Sequence, residues 1–282
     1  MKRTLLIPTG FDEYAPRLME FCAGTHRRGI IKCILLHVID TSGMEYPVIA
    51  DAVREADELL NELATPMRAE HIEVITRVET GNLTHQILRA AEQDDVDVLV
   101  MGTTRKTPMQ RFFGGSVSAA ITWGQSTPNL LVRDDILMGH SDVKQLSLDW
   151  SKTLVVPVDY SASSARAVLQ CTKFESNAVG QVRLLHVIDP KHGNEGQLEA
   201  ARTENTFRLS AFAAMLEQSG LNAVPVVRVG KPVEEILAEI DEAPGTGVVI
   251  GGGSKTSLSS WMLGSTARET ILQAPVPVMV VP

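Results

Sequence analysis

Short apolar runs alternate along the chain with longer amphipathic stretches, and the whole alternation occurs twice. Thr4–Pro8 and Thr153–Val158 are rich in Leu, Val and Ile, the composition of strands buried on both faces of a parallel sheet. Helical stretches are expected over Ala15–Arg28 and Ala162–Glu175, and second strands around Leu35–Val38 and Leu184–Val187. Next, Val53, Ala56, Leu60, Leu63 and Met67 keep the i, i+3, i+4 spacing of a helix with one apolar stripe. Leu209, Phe212 and Met215 or Leu216 keep it in the second pass. Third strands are expected over Ile72–Val78 and Ala223–Val229. The following helices are led by Asn82, and by Pro232 with Glu234 and Glu235 behind it, residues suited to a first turn. Fourth strands, Val98–Met101 and Val248–Ile250, run into glycine-bearing segments. A last helix and a last strand, Asn129–Val132 or Val276–Val281, close each pass.

The two passes keep one register. Leu35-Leu36-His37-Val38-Ile39-Asp40 recurs unchanged as Leu184-Leu185-His186-Val187-Ile188-Asp189, 149 positions later. The same offset carries Thr4 to Thr153, Pro8 to Pro157, Cys22 to Cys171 and Gly81 to Gly230. It also carries Gly102 to Gly251, Gly115 to Gly264, Ser116 to Ser265 and Pro128 to Pro277. The chain is therefore read as a duplication: a first domain over residues 1–133, a linker over 134–151 and a second domain over 152–282. The linker is polar, with Gly139, His140, Ser141 and Asp142, while Leu146, Leu148 and Trp150 are suited to packing on a domain. Strand and helix alternate, so the fold class is α/β, each copy a five-stranded parallel sheet with helices on both faces. Ligands of such sheets sit beyond the carboxyl ends of the strands, where strand order reverses.

Composition narrows the function. At 282 residues, 44% hydrophobic and 21% charged, the chain resembles an ordinary globular protein of two domains. A formal charge of −8 argues against nucleic acid as a partner. No apolar run approaches the ~18 residues of a membrane span, and the start of the chain has no signal-peptide pattern. Cys22, Cys33 and Cys171 form no CxxC pair, which points away from zinc and disulfides and towards a reduced, cytoplasmic setting.

Candidate chemistry gathers at the glycine segments. In the second copy the fourth strand, ending at Ile250, gives way to Gly251-Gly252-Gly253-Ser254; nine residues later Gly264-Ser265-Thr266 opens a helix. Glycine lets backbone N–H groups approach a ligand, and a helix N-terminus supplies unpaired N–H groups and a dipole favourable to anions. The plainer alternative for Gly264-Ser265 is a helix cap. The first copy has Gly102-x-x-Arg105 and Gly115-Ser116 at the same spacing, with Arg105 where close backbone approach is needed and Lys106 and Arg111 nearby. Asp159 after the first strand reads either as an acceptor for a ligand or as a cap near Ser161. His37 and His186 lie inside apolar strands and read as structural, and Cys22 and Cys171 as packing residues. No nucleophile, base and orienter can be assembled from any motif.

These segments resemble the universal stress protein family, whose nucleotide-binding members carry G-x-x-G, nine residues, then G-[S/T]. Gly251-x-x-Ser254 and Gly264-Ser265 keep that spacing with serine for the second glycine. Asp159 stands where the family has an acidic residue near adenosine; the first copy has Thr9-Gly10 there, with Asp12 two positions out of register. The resemblance implies tandem Rossmann-like domains of the adenine nucleotide α-hydrolase type. It implies ATP, with Mg²⁺ or Mn²⁺ accompanying the phosphates, bound mainly in the second domain by Pro157, Val158, Asp159, Val187, Ile250, Gly251, Ser254, Gly264, Ser265 and Thr266. The first domain would keep a degenerate site at Val38, Gly102, Arg105, Gly115 and Ser116. It also implies a stress-response, regulatory role with at most weak ATP hydrolysis, an intramolecular pseudo-dimer through the last strands, and scope for a homodimer. The alternative is a structural or interaction module of the same family that binds no ATP and holds another small ligand. A less favoured third is an enzyme of the wider α-hydrolase group.

Overall fold

The computed structural model describes residues 3–25, 30–103, 127–243, 245–253, 255–257, 260–261 and 264–282, and divides into two compact units, Met1–Leu148 and Asp149–Pro282. The first unit runs β1 (Arg3–Pro8), α1 (Ala15–Ala23), β2 (Ile30–Ile39), α2 (Tyr46–Leu63), α3 (Thr65–Ala69) and β3 (Glu73–Thr80). It continues with α4 (Leu83–Gln93), β4 (Val98–Thr103), β5 (Asn129–Arg133), α5 (Asp134–Gly139) and α6 (Val143–Asp149). The second runs β6 (Thr153–Pro157), α7 (Ala162–Cys171), β7 (Gln181–Ile188), α8 (Glu195–Gln218), β8 (Ala223–Val229), α9 (Pro232–Glu242) and β9 (Thr246–Gly251). A small hairpin, β10 (Lys255–Ser257) and β11 (Ser260–Trp261), then precedes α10 (Ser265–Gln273) and β12 (Val278–Val281).

Strands lie parallel in the order β3-β2-β1-β4-β5 in the first unit and β8-β7-β6-β9-β12 in the second. The order reverses between β1 and β4, and between β6 and β9. The central strands are apolar because helices cover both faces: Leu5 to Ile7, Leu154 to Val156 and Val248 to Ile250 are all buried. Cys22, Cys33 and Cys171 are buried free thiols, and burial pushes the Cys171 thiol up to about 12.

Three local features depart from the sequence reading. The amphipathic stripe ending at Met67 is broken between α2 and α3, because Pro66 has no N–H to bond the Glu62 carbonyl. The second unit has Met215 at that place, and α8 continues through it as one helix of 24 residues. Residues 134–149, expected as linker, fold into α5 and α6, which bury Ile136, Leu137 and Val143. Arg17 of α1 donates to the carbonyls of Leu137, at 3.2 Å, and His140, while Lys144 pairs with Glu70. Finally, α7 stops at Cys171 rather than Glu175, giving way to turns at Thr172 to Phe174.

Candidate functional site

The second unit opens a cleft of about 330 Å³ beyond the carboxyl ends of β6, β7 and β9. Pro157, Val158 and Asp159 line it where β6 ends, Val187 on β7, and Ile250 and Gly251 on β9. Gly264, Ser265 and Thr266 close it at the start of α10. Ser254 lies outside the described residues.

Strand register explains why Val187 faces the cleft with its backbone. β6 pairs with β7 as far as Pro157 opposite Leu185, and the Val158 N–H donates to the Leu185 carbonyl at 2.8 Å. Alternate residues of a strand direct their N–H and C=O to the same side, so the Val187 pair points where β6 no longer runs. An adenine-like edge offering one acceptor and one donor fits that pair.

The turn after β6 is held by its own polar groups. Asp159 Oδ1 accepts from the Ser161 N–H at 3.0 Å, and the Ser161 hydroxyl caps α7 by accepting from the Ser164 N–H at 3.2 Å. Burial raises the Asp159 carboxyl, but hydrogen bonds from Ser161 and Ser164 outweigh it and leave the group below its ordinary value. Asp159 thus stays an ionised acceptor. Tyr160 beside it is a non-glycine residue at φ +64°, which turns the chain sharply into α7. His186 Nδ1 lies 2.7 Å from the Val158 carbonyl, and His37 Nδ1 lies 2.9 Å from the Thr9 carbonyl. Both histidines fasten the end of the first strand to the second, a structural task, although His186 also lines the cleft.

Opposite Asp159 the chemistry changes sign. A Cβ on Gly251 would meet the Ser163 carbonyl carbon and oxygen at 2.5 Å, so glycine is what lets β9 pass the start of α7. Gly253, which also lines the cleft, has φ +107°, a turn that glycine allows. Arg166 holds that turn, donating to the Gly253 carbonyl at 3.4 Å and the Pro282 carbonyl at 2.5 Å. Gly264 is the N-cap of α10 with no side-chain cap, so the first N–H groups of this helix are left for a ligand. Among the described residues lining the cleft there is no Lys or Arg. Anion binding here would rest on helix N-termini, hydroxyls and the glycine turn.

Two residues of α9, Pro232 and Ile236, give the cleft an apolar wall. Further along that helix, Glu239 is 0% exposed and is held by Arg183 of β7 and, at 2.6 Å, by Arg228 of β8. This network pins α9 to the sheet. Ser163, Ser164, Pro232 and Ile236 were missed in the sequence as cleft residues, although serines directly after a first strand are a usable signal at a switch point.

The model of the universal stress protein family matches residues 1–133 and again 151–282. The chain belongs to this family. Two universal stress proteins of Methanocaldococcus jannaschii are each 28% identical to it, over 153 and 138 residues, covering 46% of this chain and 94% and 81% of theirs. A crystal structure of a universal stress protein from Archaeoglobus fulgidus aligns over 99% of this chain and 95% of that one, with TM-score 0.72 and 23% identity. It shares the fold, the Rossmann-like α/β domain repeated twice.

In the first family domain, Val38 has the same backbone placement as Val187, since Thr9 N–H donates to the Leu36 carbonyl at 2.9 Å. Gly102 ends differently from Gly251. A Cβ there would meet the Tyr14 ring at 2.4 Å, because Tyr14, the counterpart of Ser163, lays its ring against the end of β4. Arg105, Gly115 and Ser116 lie outside the described residues. Among the described residues no group of three or more His, Cys, Asp or Glu side chains is placed to hold a metal ion. No helix among them is long and apolar enough to cross a membrane.

Proposed function

We propose that this universal stress protein binds an adenine nucleotide, ATP foremost, in the cleft of its second unit. The observation that carries the reading is the polarity of that cleft. One end presents acceptors, the Asp159 carboxylate and the Val187 carbonyl, to the donors of an adenosine. The other presents the N–H groups of α10 and the backbone of the glycine turn to the phosphates. A divalent ion, Mg²⁺ or Mn²⁺, would arrive with the triphosphate, since the described residues form no metal-binding group of their own. Binding then acts by shifting the balance between conformations or partners rather than by turnover.

For the first unit a second reading is favoured by one contact: the Tyr14 ring against Gly102 stands where the second unit has only a serine. That unit is proposed as an interaction module without ATP. Calorimetric titration of ATP into the full chain tests both statements. The expected result is one site per chain. Two sites would overturn the asymmetry, and none, with no nucleotide released on denaturation, would overturn the nucleotide reading.

A further inference from the structure

Phe11 and Tyr160 are counterparts, each just beyond the first strand of its unit. Each ring rests on the histidine of the second strand, Phe11 on His37 with centroids 4.5 Å apart and Tyr160 on His186 at 4.8 Å. What else meets the ring is different. Arg208 of α8 places its guanidinium carbon 3.6 Å from the centre of the Tyr160 ring. The counterpart of Arg208 on α2 is Leu59. Beside Phe11 the first unit has a cavity of about 330 Å³, walled by Phe11, Leu59, Leu63 and Pro66 and by two carboxylates, Asp12 and Glu62. Phe11 and Leu59 are left 39% and 36% exposed.

The carboxylates are as telling as the space. In the second unit their positions are Ser161 and Ala211, so the unit that has its own cation lacks both acids. The unit with both acids lacks the cation. Burial raises the Asp12 carboxyl, against hydrogen bonds from Tyr14 and Ala15, so an incoming positive charge would be welcome there. The break at Pro66 belongs to the same difference, since it replaces Met215 along the wall.

We propose that the Phe11 cavity is a binding site for a small organic cation with a flat or apolar body, an aryl- or alkylguanidinium or ammonium. It would stack on Phe11 as Arg208 stacks on Tyr160, with Asp12 and Glu62 balancing its charge. The site lies in the other unit from the nucleotide cleft and does not depend on it.

The test is calorimetric titration of the full chain with phenylguanidinium and with phenylurea, its neutral counterpart. Phenylguanidinium is expected to bind about tenfold more tightly than phenylurea, and to weaken as salt rises from about 50 to about 500 mM. Saturating ATP leaves this binding unchanged. Leu59→Arg, which installs the residue of the second unit, abolishes it. Asp12→Asn with Glu62→Gln, two near-isosteric changes, lowers it to the phenylurea level and serves where Leu59→Arg disturbs folding. Equal binding of both probes, survival in both variants, displacement by ATP, or no binding up to about 10 mM would each overturn the proposal.

Discussion

Where α7 begins with Ser161, Ser163 and Ser164, each hydroxyl engaged in the turn, α1 begins at Tyr14 with no side-chain cap and Pro16 in its first turn. Both helices then bury the same face against the same strands, with Leu18, Cys22, Ala167 and Cys171 all inaccessible. Duplication has therefore kept the packing and let the strand ends drift. The arginines show this well. Arg17 and Arg166 are counterparts, yet Arg17 reaches carbonyls at α5 whereas Arg166 reaches the glycine turn and Pro282. A core position answers to many neighbours, whereas a residue beyond a strand answers to few, so it changes first.

The largest expected effect comes from a core position where the copies differ in charge. Glu239, inaccessible and held by Arg183 and Arg228, has Ala90 as its counterpart, with Ile34 in place of Arg183. Glu239→Ala should destabilise the second unit by about 3 kcal/mol, because two guanidinium groups lose their buried partner. Adding Arg183→Ile, which restores the pairing of the first unit, should recover part of that loss. Denaturant unfolding of the full chain, followed through the second unit, checks it. A loss of only about 0.5 kcal/mol, the value of an exposed pair, would mean that the network is solvated and does not pin α9.

Much of this was legible in the sequence, and the reasons for the remainder are physical. Apolar runs and the 149-residue offset are local or repeated signals, and they mark the strands, the duplication and the strand ends that form the cleft. The contact between Tyr14 and Gly102 joins residues far apart in sequence, and nothing around Tyr14 announces where its ring will lie. Helices α5 and α6, of six and seven residues, are too short to show a period. Pro66 was visible, but the apolar stripe runs through it to Met67 and masks the break. Ser163 and Ser164 carry no motif of their own, and only the fold brings Gly251 against the Ser163 backbone.

The next effect separates the two glycines. Gly251→Ala puts a methyl group into the Ser163 backbone, which no rotamer change relieves, so α7 must move away from β9. ATP affinity should fall more than about tenfold, with a stability cost of about 1–3 kcal/mol. Gly102→Ala meets the Tyr14 ring, a side chain rather than backbone and in the other unit from the cleft, and should leave ATP affinity unchanged. Titration of the two variants side by side decides it. A matching loss of ATP in Gly102→Ala would put a nucleotide in the first unit and remove the asymmetry.

The smallest effect is one of pH, and it distinguishes the two acids beside the first strands. Asp159 lies below its ordinary 3.8, with burial opposed and outweighed by the serine hydrogen bonds. Its contribution to stability is present above that ordinary value and is lost as pH falls through the lower folded value. Asp12 lies above 3.8, chiefly through burial. Its sign is opposite: the folded state is favoured while Asp12 is protonated, and that advantage is lost as pH rises through the raised folded value. Carboxyl NMR titration of the full chain should therefore find Asp12 above and Asp159 below 3.8. Phenylguanidinium should lower Asp12 and leave Asp159 where it was, since a cation beside a carboxyl favours its ionised form, whereas ATP should move Asp159 and leave Asp12 where it was. An Asp12 that titrates at or below the ordinary value would show a carboxylate already satisfied, with no need of a cation in the Phe11 cavity.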